Sequence, residues 1–165
     1  MTPIFIAPTD NLLKPGILLG NFIHLAAEKF LGKLDKGGKP YVLHLIRVMQ
    51  NLETDDEELQ CIGIGHDIIE DTDTTYQDLI NIGATKRVLS GIWGMTRIPG
   101  ETEDEYRVRV METEDRTRVK IADLKDNTDI TRLKGITEKD FKRMQKYHTT
   151  YMLLINKMKE GWNNG

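Results

Sequence analysis

The sequence predicts an all-α fold, a single helical bundle spanning residues 1–165 as one domain. Three observations carry that expectation. Apolar residues recur at three- and four-residue spacing through most of the chain. Alternating runs of Val, Ile and Thr, the mark of strands, are scarce. And 165 residues, 39% of them apolar, suffice to bury one core without disulfide or metal staples.

The elements follow in order. A first helix is expected over about 16–31, with Pro15 suited to its first turn and Ile17, Phe22, Ile23, Ala26, Ala27 and Phe30 on one face. Residues 32–40 (GKLDKGGKP) read as a Gly- and Lys-rich loop. Val42, Leu45, Ile46, Met49 and Leu52 then define a second helix ending near Glu53. A third starts at Asp55 or Asp56, carries Leu59, Ile62 and Ile69 on one side, and runs through His66 and Asp67. Thr75 and Thr85 are expected caps of two shorter helices, over 76–81 and 86–95. Ile98, Pro99 and Gly100 form a turn. Residues 101–120 mix seven acidic with five basic side chains, the pattern of a solvated helical surface. Val119, Ile121, Ala122 and Leu124 mark a more buried segment after it. Thr137 to Asp140 have the form of a capping box opening a long last helix. Its expected inner stripe is Phe141, Met144, His148, Tyr151, Met152, Ile155 and Met158.

Charge and cysteine content narrow the function classes. The 23 Lys and Arg against 26 Asp and Glu give a net charge of −3, which excludes a chain built to coat DNA by bulk positive charge. One cysteine, Cys61, cannot form an internal disulfide, so a reducing compartment is expected. The longest apolar runs, 17–19 and 62–69, are soon interrupted by Gly, His or Asp, so no membrane span is expected. The amino terminus lacks the basic-then-apolar layout of a secretory leader. A soluble, cytoplasmic protein is the expectation.

The sharpest local feature is His66-Asp67-Ile68-Ile69-Glu70-Asp71. On a helix His66 meets Glu70, and Asp67 meets Glu70 and Asp71. An imidazole and three carboxylates at the edge of a core suit a divalent cation, whose charge offsets carboxylate repulsion. Taken alone, the same residues also describe a helix end with acidic side chains entering a Thr-rich turn. Three further residues add weight. His44 follows a Pro-Tyr start on the second helix. Asp123 lies in an apolar segment where a carboxylate needs a partner. Asn127 follows it by four, on the same face. Two imidazoles with two carboxylates favour Mn²⁺, Fe²⁺ or Zn²⁺ over Ca²⁺, and spacing does not choose among the three.

The order His44, His66-Asp67, Asp123 resembles the HD-domain metal phosphohydrolases. Within them the chain is similar to the alarmone hydrolase branch: the hydrolase domain of RelA/SpoT proteins and the stand-alone small alarmone hydrolases. The matching stretches are G-x-P-Y-x-x-H (38–44), H-D-x-x-E-D-T-x-T-T (66–75) and V-K-x-A-D-x-x-x-N (119–127), and the spacing continues to Arg143 and Tyr147. The resemblance covers about 26–154 and implies an HD-domain helical bundle. It also implies one Mn²⁺ held by His44, His66, Asp67 and Asp123. By the same resemblance Glu70 and Asp71 orient and deprotonate the attacking water. The implied reaction is release of pyrophosphate from the 3′ position of guanosine tetraphosphate, leaving GDP. Asn127, Arg143 and Tyr147 match positions that contact the nucleotide, and Lys36 matches a basic neighbour of the base site. The implied partner is a small nucleotide, guanine or adenine alarmone, not a nucleic acid or a membrane.

Two departures bear on base choice. Asp35 stands where the family carries an Arg stacked on guanine, and Asp129 stands where a basic residue commonly follows Asn127. An Asp supplies no cation–π contact but accepts hydrogen bonds from a guanine edge, so weaker guanine-over-adenine selectivity is expected. Two other readings stay open: a general HD nucleotidase or phosphodiesterase acting on another nucleotide, cofactor or pyrophosphorylated RNA end, and a non-catalytic nucleotide-binding module. Lys139 and Lys142 read as solvated surface, while His24, His148, Cys61, Trp93, Met95 and Trp162 read as packing groups.

Overall fold

The computed structural model describes residues 14–162; the amino-terminal stretch read above for a leader lies outside the described residues. Helices α1 (Ile17–Lys29), α2 (Val42–Asn51), α3 (Glu57–Gly65), α4 (Ile68–Asp71) and α5 (Tyr76–Asn81) form the first half. Helices α6 (Lys86–Met95), α7 (Glu103–Val110), α8 (Glu114–Asn127), a 3₁₀ turn (Ile130–Arg132) and α9 (Glu138–Glu160) complete it. The one β-type pairing among the described residues is the isolated bridge between Leu34 and Pro40. No helix among them is long and apolar enough to cross a membrane.

The centre is α3, whose residues from Leu59 to Gly65 are buried except Gln60. A helix apolar nearly all round needs neighbours on every side, and α1, α2, α6 and α8 pack against it. Gly63 permits the approach of α2, since a Cβ there would lie 2.9 Å from the Leu52 side chain and 3.3 Å from the Met49 backbone. Leu45, Leu59, Ile62, Ile64, Ile68 and Ile92 are fully buried in this core, each worth about 1.5–3 kcal/mol on removal from water.

Thr75, Thr85 and Thr137 cap α5, α6 and α9 as expected, and Thr75 and Thr137 complete capping boxes with Asp78 and Asp140. Thr102 and Thr113 also cap α7 and α8; the stretch 101–120 is helical as expected, but Tyr106, Val110, Arg116 and Thr117 within it are buried rather than solvated.

Three expectations change. The helix expected to run through His66 and Asp67 breaks there, with His66 closing α3 and Asp67 opening α4. The expected inner stripe of α9 holds only in part: Tyr151 packs against the core, but Phe141 is 63% exposed, Met152 42%, and His148 is exposed. The buried and core-packed positions are Tyr147, Thr150, Tyr151 and Leu154, and α9 packs against α8. His24 is exposed on α1, so it is not a core group either. Trp93 is half exposed against Tyr76. Cys61 and Met95 are buried as expected, and the Trp162 indole donates to the Met111 carbonyl at 3.0 Å.

Candidate active site

Three elements converge on one cleft of about 260 Å³. The loop between α1 and α2 forms its rim. There Asp35 Oδ1 accepts from the backbone N–H of Gly37 and Lys39, both at 2.9 Å, and Gly38 takes φ 75°, a value that favours glycine. This turn delivers the chain to Tyr41 and then to His44, one turn into α2.

The break between α3 and α4 supplies the next two groups. Consecutive residues of a regular helix point about 100° apart and do not face each other. Because the helix ends at His66 and restarts after Asp67, His66 Nε2 and Asp67 Oδ2 lie 3.1 Å apart and turn toward the same space. The other His66 nitrogen, Nδ1, is 2.8 Å from the Gly63 carbonyl. From the opposite side α8 contributes Asp123, buried at 4% exposure.

These groups point at a shared centre more than at one another. Ligand atoms of His44, His66 and Asp123 all fall within 4.8 Å of each other. His44 Nε2 lies 3.4 Å from Asp123 Oδ1 and 3.7 Å from Asp67 Oδ2. His66 Nε2 is 3.6 Å from Asp123 Oδ1 and, although buried, has no hydrogen-bond partner. A buried nitrogen acceptor in that state is costly unless a cation meets it.

The electrostatics agree. Burial lowers the affinity of His44 for a proton, but the hydrogen bonds its ring donates to the Asp123, Asp126 and Asp67 carboxylates outweigh it and raise its pKa to about 11. His66 behaves likewise, burial being overcome by Asp67 and Asp123 to give about 10. Asp67 and Asp123 are held well below the usual carboxylate range; burial opposes this, and the imidazoles, with Lys120 for Asp123, overcome it. Burial and Asp67 push the Tyr41 phenol up, so it stays a donor and bonds Asp67 Oδ2 at 2.7 Å. The cluster thus demands positive charge where the Nε2 atoms point. A divalent transition ion answers that demand with both imidazoles neutral, and the residues fit one.

Glu70 and Asp71, both exposed, line the same cleft. Glu70 Oε2 accepts from the Arg97 backbone N–H at 3.1 Å, and Asp71 pairs with Lys33 at 2.8 Å. On the facing wall stand Lys36, Arg132, Arg143 and Tyr147. The Lys36 ammonium sits 5.7 Å over the Tyr147 ring. Arg143 pairs with Asp140 at 2.7 Å and keeps a buried Nε without a partner. Asn127 donates to Asp123 Oδ1 at 2.5 Å. Every site residue expected from the sequence therefore borders this cleft except His66, which lies buried beneath it. Lys139 and Lys142 are exposed, as expected.

Asp35 differs from its expected role as an acceptor for a base edge. Its side chain is 4% exposed, and Oδ2 is taken by Arg132 at 2.6 Å and Arg47 at 3.4 Å. With Oδ1 bound to the loop backbone, no acceptor is left for a base. Asp129 is also occupied, capping the 3₁₀ turn through Thr131 at 2.9 Å.

Several residues in the cleft or behind it escaped the sequence reading. Lys120 donates to Asp123 Oδ2 at 2.8 Å, and Asp126 accepts from His44 Nδ1 at 2.6 Å. Both lie three residues from Asp123 on one helical face, a spacing that was available as a signal. Arg97 stacks 4.2 Å from Tyr106 and pairs with Glu103 at 2.8 Å. Arg132 is bound to Asp35. These two arrive from turns, and no periodicity announces them.

No family model matches the chain. A solved structure described as a metazoan ortholog of SpoT that hydrolyzes ppGpp and plays a role in starvation responses superposes with a TM-score of 0.71. It covers 86% of each chain at 21% identity. The chain accordingly shares the all-α helical-bundle fold of that structure. More particularly, the chain is 33% identical over 94 residues to the guanosine-3′,5′-bis(diphosphate) 3′-pyrophosphohydrolase MESH1 of Danio rerio. That match covers 52% of this chain and 52% of the relative, so the chain spans about half the length of the curated relative it matches.

Proposed function

We propose that the cleft hydrolyses the 3′-pyrophosphate of guanosine tetraphosphate-type alarmones, releasing pyrophosphate and leaving a nucleoside 5′-diphosphate. The observation that carries this reading is the buried His66 Nε2, without a partner, beside His44, Asp67 and Asp123 in a cleft that also holds Glu70, Asp71 and a cationic wall. The Danio rerio relative and the solved SpoT ortholog, both described as acting on this nucleotide class, support it.

In this reading His44, His66, Asp67 and Asp123 hold one Mn²⁺-class ion. When bound, such an ion offsets phosphate charge and acidifies water near neutral pH. Glu70 and Asp71 orient the attacking water and accept its proton at a carboxylate oxygen. Water attacks the phosphorus attached to the ribose 3′ oxygen, and that P–O bond breaks. The 3′ oxygen leaves with the nucleoside and takes up a proton. Arg143, Asn127, Tyr147 and Lys36 hold the nucleotide, the two cations by charge-assisted bonds to phosphate oxygens. Arg97 fixes Glu70 through its backbone N–H.

An intact Glu70-Asp71 pair favours hydrolysis over mere nucleotide binding, because a sensor has no need to activate water. Pyrophosphate release from guanosine and adenosine tetraphosphates, each with Mn²⁺ or with chelator, tests the reading. Metal-dependent release is the expected result. Its absence with both nucleotides overturns the reading.

A further inference from the structure

The geometry points to Asp126 as a positioning residue that fixes the tautomer and ring plane of His44 for the metal. This inference rests on the metal reading above and goes beyond it.

The two imidazoles of the site are held differently. His66 Nδ1 faces a neutral backbone carbonyl, that of Gly63. His44 Nδ1 faces a carboxylate, Asp126 Oδ2, at 2.6 Å, with both side chains 3% exposed. A histidine that ligates through Nε2 must carry its proton on Nδ1. A carboxylate accepting a hydrogen bond from that Nδ1–H selects the tautomer, holds the ring in one plane and makes Nε2 a stronger electron-pair donor to a metal. Asp126 lies one turn beyond Asp123 on α8, so a single helix supplies both a ligand and the brace of the ligand opposite.

A buried carboxylate needs its own compensation. Arg47 Nε donates to Asp126 Oδ1 at 2.5 Å, and Arg132 Nη1 bonds both its Oδ2 and, at 2.7 Å, its backbone carbonyl. These two guanidiniums also share Asp35. They neutralise Asp126 enough to keep it an acceptor rather than a competitor for the His44 proton. They also fasten the 3₁₀ turn after α8, and the loop before α2, to the brace. The wall that receives the nucleotide and the ligand that receives the metal are thereby one hydrogen-bonded unit.

The test compares Asp126→Asn with Asp35→Asn, which disturbs the same arginines one step farther from His44. Mn²⁺ affinity is measured by titration calorimetry, alongside the metal-free Tm. Asp126→Asn is expected to weaken Mn²⁺ by about 10–100-fold, the range for loss of such a partner. Asp35→Asn is expected to lower Tm with Mn²⁺ affinity nearly unchanged. Nitrogen-15 spectra of the wild-type protein loaded with Zn²⁺ give a readout independent of any variant: a protonated, hydrogen-bonded Nδ1 on His44, with Nε2 metallated. Unchanged affinity in Asp126→Asn, equal weakening in Asp35→Asn, or metal on His44 Nδ1 each overturns the inference. A wild-type protein that binds neither Mn²⁺ nor Zn²⁺ overturns the metal reading itself, and this inference with it.

Discussion

Replacing Asp35 by Asn separates a scaffold residue from a base-recognition residue. The amide keeps Oδ1, so the bonds from Gly37 and Lys39 survive; the charge opposite Arg132 and Arg47 is lost. Removing one partner of a fully buried ion pair costs about 3–5 kcal/mol, whereas an exposed pair is worth at most about 1 kcal/mol. Asp35 is 4% exposed, but Arg132 is 18% and Arg47 33% exposed, which places the cost near 2 kcal/mol. For a domain of this size each kcal/mol moves Tm by about 2–4 °C, so a fall of about 4–8 °C is expected near neutral pH. The pH dependence follows from the direction of the shift. Burial tends to raise the Asp35 pKa, but the Lys39 N–H and Arg132 outweigh it and hold it below its ordinary 3.8. A depressed folded-state value means stability present above the unfolded pKa and lost as pH falls below it. The Tm difference between wild type and Asp35→Asn should therefore narrow below about pH 4. Scanning calorimetry across that range measures it. An unchanged Tm, or a difference independent of pH, would refute the assignment of Asp35 to the ion network.

Three further outcomes are expected. Hydrogen bonds from Thr137, aided by Arg143, hold Asp140 down to about 2 against an ordinary 3.8, so its contribution to α9 fails only as pH drops through that interval. Carboxyl carbon NMR should give a midpoint near 2, and one near 4 would contradict the capping box. Glu70→Gln with Asp71→Asn should keep Mn²⁺ binding and lose turnover by about two or more orders of magnitude, the range of general-base catalysis; wild-type rates would assign water activation elsewhere. Arg143→Gln should raise the nucleotide KM about tenfold, since a charge-assisted bond is worth roughly 1.5 kcal/mol, with kcat little changed. An unchanged KM would remove Arg143 from the binding wall.

The parts of the fold legible in the sequence are those written in local chemistry. Thr75, Thr85 and Thr137 announced their helices because a hydroxyl three residues ahead of a backbone N–H is a local arrangement. The α9 stripe was placed only in part, because Phe141, His148 and Met152 also fit a helical period, and only tertiary packing shows that Tyr147, Thr150 and Leu154 turn inward beside Tyr151. At the site, His44, His66 and Asp123 were legible as chemistry-bearing residues in an apolar setting. The break that lets neighbours His66 and Asp67 face one centre was not, since the run 62–69 has the pattern of continuous helix. Asp35 was misread for a comparable reason: its role depends on Arg132, 97 positions away, which no local pattern couples to it.

If these side chains form a metal centre, anomalous scattering from crystals grown with Mn²⁺ reveals the ion itself. One peak is expected in the cleft, about 2.0–2.3 Å from His44 Nε2, His66 Nε2 and the carboxylates of Asp67 and Asp123, as for such nitrogen and oxygen ligands. Glu70 and Asp71 should stand beside the peak without ligating it. A map with no peak there, or with the ion held by Glu70 and Asp71 instead, would rule out this metal centre.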